Sequence, residues 1–193
     1  LHAAAVTSSS SHNQARFRKL FDHTARVNST AAPANPCEAC MSVIAAYYYN
    51  AGKRVREIAL DEHFEQGEAR SGFCWVALRE PSAVELHTLQ AAYHLHPLAV
   101  ENAMHPNCPP KLEVYNDELY IVAQTAELVG DKISYGKTAI FTGHNHLITA
   151  RHGNGGALNN LREQLEASPT LLAKGVDYVL HAILHRIVDQ YLP

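Results

Sequence analysis

The chain has 193 residues, 47% hydrophobic and 18% charged, enough for one globular domain that buries about two thirds of its unfolded surface without disulfide or metal staples. A formal net charge of −3, with Lys and Arg scattered along the chain, argues against a nucleic-acid footprint or a polybasic membrane patch. No run reaches the ~18 consecutive apolar residues of a membrane-spanning helix, and four cysteines with no signal-like segment before them point to a reducing, cytoplasmic compartment.

Residues 1–40 are rich in Ala, Ser, Thr, Asn and Pro ("AAAVTSSSSHNQ", "NSTAAPANPCEAC") and carry no sustained apolar period. They are expected to be unordered or a non-native extension, with Met41 as the natural start. "CEAC" has the gap of a zinc knuckle in Cys37 and Cys40, but no second pair of ligands follows at a suitable distance. From Met41 the texture changes. "SVIAAYYY" and "KRVREIAL" read as strands joined by the turn "NAGK", and "FCWVALRE" (73–80) reads as a strand buried on both faces. "PSAVELHTLQAAYHL" reads as a helix with Pro81 at its first position. "LAVENAMHPNCPPKLE" opens as a short helix and is broken by Pro106, Pro109 and Pro110, after which "KLEVYNDELYIV" reads as strand. Four further strand candidates follow, "ELYIVAQTAEL", "KISYG", "KTAIFTG" and "HLITARH", then a short helix, "NNLREQLEA". "GVDYVLHAILHRIVDQYLP" is a long amphipathic helix still running at the last residue. The order predicts an α/β or α+β sandwich, helices covering a mixed sheet.

Three places could carry chemistry. Glu101, Asn102 and His105 fall on one short helix, where they are either a cation site or a solvated face. On the last helix Asp177, His181, His185 and Asp189 recur every four residues as one polar stripe, in which two imidazoles one turn apart could chelate a transition metal. The opposite face, Val176, Val179, Leu180, Ile183, Ile187 and Tyr191, must pack on something. "LITARHGNGG" has the Arg-His-Gly of the histidine phosphatases, but that family places it on its first strand and this chain on its last. The plainer reading is a strand end with Arg151 on the surface and Gly153, Gly155 and Gly156 turning the chain.

"FCWVALREPS", "LHPLAVENAMHPNCPPKLEVYNDELYIV", "LITARHG" and "DYVLHAILHRIVDQYLP", in this order, resemble the N-terminal cytosolic domain of CorA-type magnesium and cobalt transporters from Met41 to Pro193. The resemblance implies an α/β/α sandwich ending in a long helix, on the cytoplasmic face of a bacterial inner membrane. It implies a homopentameric channel whose stalk, two membrane helices and Gly-Met-Asn motif are not in this fragment. It also implies that this domain senses regulatory divalent cations rather than catalysing a reaction. Glu101 matches a family Glu; Asn102 stands where an Asp is usual, and His185 where a helical Asp contributes a ligand. Those two departures imply weaker Mg²⁺ binding and a shift toward Co²⁺, Ni²⁺ or Zn²⁺. A zinc transporter of the same superfamily and a soluble metal-dependent hydrolase are the alternatives.

Overall fold

Seven strands form one mixed sheet with helices on both faces. The computed structural model describes residues 42–62, 72–105, 108–129, 131–153, 158, 160–189 and 191, all within the unit Cys40–Pro193. The readings of residues 1–40, including Cys37 and Cys40, lie outside them, as do Gly155 and Gly156. The elements are β1 (Val43–Asn50), β2 (Lys53–Glu57), β3 (Gly72–Arg79), α1 (Ala83–Tyr93), α2 (Pro97–Met104), β4 (Lys111–Tyr115), β5 (Glu118–Val129), β6 (Lys132–Thr142), β7 (His146–Gly153), α3 (Leu161–Glu166), α4 (Pro169–Leu172) and α5 (Val176–Asp189). The spatial order is β2-β1-β3-β7-β6-β5-β4, antiparallel throughout except where β3 and β7 run parallel.

Alternation along the strands builds two cores. Cys74, Val76 and Leu78 of β3 face α1 and α2, where they join Leu86, Leu89, Val100 and Ala103. Phe73 and Trp75 face the other way and join Leu161, Leu165, Leu172, Val179, Ile183 and Ile187 of α3, α4 and α5. Both faces of β3 are therefore covered, which is why its sequence is an unbroken apolar run. Each Val or Ile that α5 buries contributes about 1.5–3 kcal/mol. The result is the expected α/β/α sandwich.

Local chemistry explains where the expectations shift. The β1–β2 turn places Ala51 and Gly52 at φ 48° and 75°, the paired positive values of a tight hairpin. "KLEVYNDELYIV" is two strands, β4 and β5, because Asn116 takes φ 54° and turns the chain. "KISYG" and "KTAIFTG" fuse into β6, with Gly136 mid-strand opposite Gly153. A Cβ at Gly153 would lie 2.8 Å from the Tyr135 carbonyl oxygen, so the glycine permits a close approach. Helix α1 starts two residues after Pro81, because Ser82 caps it. The Ser82 hydroxyl accepts from the Glu85 amide at 3.3 Å, and the Glu85 carboxylate accepts from the Ser82 amide at 2.8 Å. Pro169 opens α4 as a separate turn after α3. Helix α5 ends at Asp189; Tyr191 follows in a turn, exposed, with its hydroxyl donating to the Gln124 carbonyl of β5.

Candidate functional site

Helix α2 holds the first predicted group. Pro97 sits in its first turn, and Ala99, Val100 and Ala103 bury one face. The opposite face carries Glu101 and, at the C-cap, His105, with Oε1 and Nε2 3.9 Å apart and both side chains about two thirds exposed. Asn102 is half-buried and accepts a long contact from the Cys108 thiol at 4.0 Å. The helix ends on Lys137 of β6, a lysine only 3% exposed. Its ammonium donates to the Asn102 carbonyl at 3.3 Å, the Ala103 carbonyl at 2.8 Å and the His105 carbonyl. Burial pushes the Lys137 pKa down, and the three carbonyls at the negative end of the helix dipole favour the charged form.

Helix α5 holds the second. Asp177, His181, His185 and Asp189 are all exposed, along the stripe their spacing predicts. His185 Nδ1 lies 2.9 Å from Asp189 Oδ2, and the His181 and His185 rings are 5.9 Å apart. His181, His185 and Asp189 border a cleft of about 430 Å³ between α5 and the α3–α4 segment. A transition metal there would meet imidazole nitrogen and carboxylate oxygen.

The two groups stand on opposite faces of the sheet, α2 on one core and α5 on the other. One copy of the chain therefore cannot bring Glu101 and Asn102 to the ion that His185 would hold. Among the described residues no three His, Cys, Asp or Glu side chains gather at metal-binding distance. Arg151, expected on the surface, is 7% exposed, because its strand is covered on both faces. His152 Nδ1 lies 3.2 Å from Glu80 Oε2, and the Gly153 amide donates to the same carboxylate at 2.6 Å.

Sequence reasoning did not single out Lys137, although its alternation with Ala139 and Phe141 puts it on a buried face. It also passed over Glu118 and His146, whose Oε1 and Nε2 stand 3.6 Å apart at the starts of β5 and β7. Burial raises the Glu118 carboxyl to about 7. Burial lowers the His146 imidazole to about 4. Between those values both groups are neutral, so the contact is not an ion pair there. No signal short of the strand register would have joined them.

The model of the family described as CorA-like Mg²⁺ transporter protein matches residues 70–193. The chain belongs to that family. Over 119 residues it is 29% identical to "Putative metal ion transporter YfjQ" of Bacillus subtilis strain 168, which covers 62% of this chain and 37% of that protein. The CorA-like chain thus spans little more than a third of the length of the curated relative it matches. In fold it is similar to the soluble domain of CorA from Methanocaldococcus jannaschii, with a TM-score of 0.58 and 20% identity, over 78% of this chain and 58% of that one. It is also similar to the cytoplasmic domain of ZntB from Vibrio parahaemolyticus RIMD 2210633, with a TM-score of 0.57 and 12% identity, over 77% of this chain and 58% of that one. Among the described residues no helix is long and apolar enough to cross a membrane.

Proposed function

We propose that this chain is the cytosolic, divalent-cation-sensing part of a CorA-type transporter for Mg²⁺ or Co²⁺. It works as a homopentamer on the cytoplasmic face of the membrane and carries no catalytic centre of its own. Family membership supports the transporter role. The observation that carries the sensing role is the exposure of Glu101 on one face and of His185 on the opposite face. In a ring of copies the α2 face of one subunit can meet the α5 face of the next, and an ion held between them links the two. Glu101 supplies oxygen with Asn102 beside it, and His185 supplies nitrogen from the neighbouring copy.

The experiment is limited proteolysis of the full-length assembly across a metal titration. A unit charge pair 4 Å apart is worth about 1 kcal/mol in water, a divalent ion doubles it, and each 1.4 kcal/mol is tenfold in affinity. Asn102→Asp should therefore lower the protecting Mg²⁺ concentration about tenfold or more, while Glu101→Ala should raise it or abolish protection. Equal midpoints for the wild type and both variants would remove α2 from the site. The nitrogen donors of His181 and His185 favour a second reading, a zinc transporter with a ZntB-like domain, in which Zn²⁺ or Ni²⁺ is the better ligand. His185→Asp should then cut the preference for Zn²⁺ and Co²⁺ over Mg²⁺, and an unchanged ion order would refute that role for His185.

A further inference from the structure

The turn between β6 and β7 closes over a buried acid and imidazole. Thr142 of β6 pairs with Leu119 of β5 on one side and with Leu147 of β7 on the other, so the next residue, Gly143, stands between Glu118 and His146. A Cβ at Gly143 would lie 2.5 Å from Cε1 of the His146 ring; the glycine leaves the imidazole room to lie across the end of β6 toward Glu118. Glu118 Oε1 and His146 Nε2 are 3.6 Å apart, with the side chains 25% and 7% exposed.

The hydrogen bonds place the ring proton. His146 Nδ1 faces Asn145 Oδ1 at 3.4 Å, and an amide oxygen only accepts, so the hydrogen is on Nδ1. Nε2 is then a lone pair, inaccessible to solvent and without a hydrogen-bond partner among the described residues. The group set against it is the Glu118 carboxyl, which can supply the missing hydrogen only while it is protonated. Once Glu118 ionises, its carboxylate faces that lone pair, and either His146 takes up a proton or Glu118 turns away.

The surroundings decide between these. Tyr93 of α1 covers the imidazole, with ring centroids 5.1 Å apart, and Cys74 of β3 is the cross-strand neighbour of His146. Burial pushes both the Cys74 thiol and the Tyr93 hydroxyl up, so neither brings a negative charge to the ring near neutral pH. Glu62 and Arg56, which act on Cys74 from beyond β1 with opposite signs, are paired with each other. Tyr115 of β4, the register partner of Glu118, donates its hydroxyl to Glu113 at 2.7 Å. Burial holds the His146 imidazole down to about 4, and the charge of His144 in the turn acts in the same direction. A cation at His146 is therefore disfavoured, whereas Glu118, a quarter exposed, can reach water.

We propose that Glu118, Gly143 and His146 form a proton-operated latch, which ties the start of β5 to the β6–β7 turn and the end of α1 while Glu118 is protonated and releases them as it ionises. Burial raises the Glu118 carboxyl to about 7, so the latched state binds the proton more tightly than the released one. Closure is strongest at acid pH, weakens as pH rises from about 4.5, and is weakest above about 7.

The test is amide exchange on the 193-residue chain at pH 5 and pH 8, together with the ¹⁵N shifts of the His146 ring. The Cys74 amide, which donates to the Asn145 carbonyl at 2.8 Å, and the Gly143 amide, which donates to the His146 carbonyl at 3.1 Å, report on the turn. The Val179 amide of α5, which donates to the Gly175 carbonyl at 3.3 Å, reports on the opposite core. After correction for intrinsic exchange, protection at Cys74 and Gly143 should fall by about tenfold or more from pH 5 to pH 8, with little change at Val179. His146 should stay neutral throughout, with Nε2 unprotonated. Glu118→Gln, whose amide can donate to Nε2 at every pH, should keep at pH 8 the protection seen at pH 5. Unchanged protection at Cys74 and Gly143 overturns the latch, and an equal fall at Val179 does so by showing a general loss of stability. A proton gained by His146 as Glu118 ionises overturns it as well, because the contact would then persist as an ion pair. So does the same pH-dependent loss in Glu118→Gln.

Discussion

Replacing Lys137 by Met removes the ammonium under α2 while keeping most of the aliphatic stem. The wild-type group donates to the carbonyls of Asn102 at 3.3 Å, Ala103 at 2.8 Å and His105. A hydrogen bond to a charged group contributes about 1.5–3 kcal/mol net. The three do not add fully, because they share one ammonium whose burial itself costs several kcal/mol. The expected net loss is about 3 kcal/mol, which lowers the melting temperature of a domain of about 150–200 residues by roughly 6–12 °C. Urea unfolding with linear extrapolation measures it, and the slope should stay the same because the surface exposed on unfolding hardly changes. Amide exchange gives the local check. The His105 amide, which donates to the Glu101 carbonyl at 3.3 Å, should exchange faster as the last turn of α2 loosens. A loss below about 1 kcal/mol, or a gain in stability, would refute the view that the ammonium holds this helix end, and would class Lys137 with buried charges that apolar residues replace at no cost.

Glu118→Gln should stabilise the chain by on the order of 2 kcal/mol at pH 8 and by much less at pH 5. The folded carboxyl, raised to about 7, binds its proton more tightly than the unfolded one, so the stability it contributes is present at acid pH and lost as pH rises from about 4.5 through 7. Thermal melts at the two pH values measure this, and an equal gain at both would refute the buried acid. Gly52→Ala should cost about 2–4 kcal/mol in urea unfolding. Its φ is 75°, and an added Cβ would stand 1.9 Å from the Pro169 carbonyl oxygen, so the β1–β2 turn could no longer lie on α4; a cost under about 1 kcal/mol would refute that contact.

Much of the fold was legible because its elements follow local periods. The run "FCWVALRE" announced a strand covered on both sides, and the four-residue recurrence from Asp177 to Asp189 announced the exposed face of α5. The misread boundaries came from residues whose effect depends on the partner strand or on a cap. Gly136 reads as a turn in isolation, but opposite Gly153 it passes through β6 unbroken. Asn116 lies inside a continuous apolar pattern, but its positive φ makes the β4–β5 hairpin. Ser82, rather than Pro81, sets the start of α1, because the hydroxyl satisfies an amide that proline cannot.

The candidate site divides along the same line. Glu101, His105, His181, His185 and Asp189 were readable because helical spacing places them on exposed stripes. Lys137 was passed over and Arg151 was placed on the surface because a charged residue is assigned to water by default, and only the register and the elements packed on the sheet show that both are buried. This asymmetry bears on the cation reading. The Lys137 ammonium is fixed against the backbone of Asn102, the residue next to Glu101, and it offsets part of the attraction that Glu101 offers a divalent ion. A second carboxylate beside Glu101 would restore that attraction, while the amide of Asn102 cannot. If α2 holds the proposed ion, it must draw more heavily on ligands from a neighbouring copy than Glu101 alone suggests, and Asn102→Asp is the substitution that should relax this dependence.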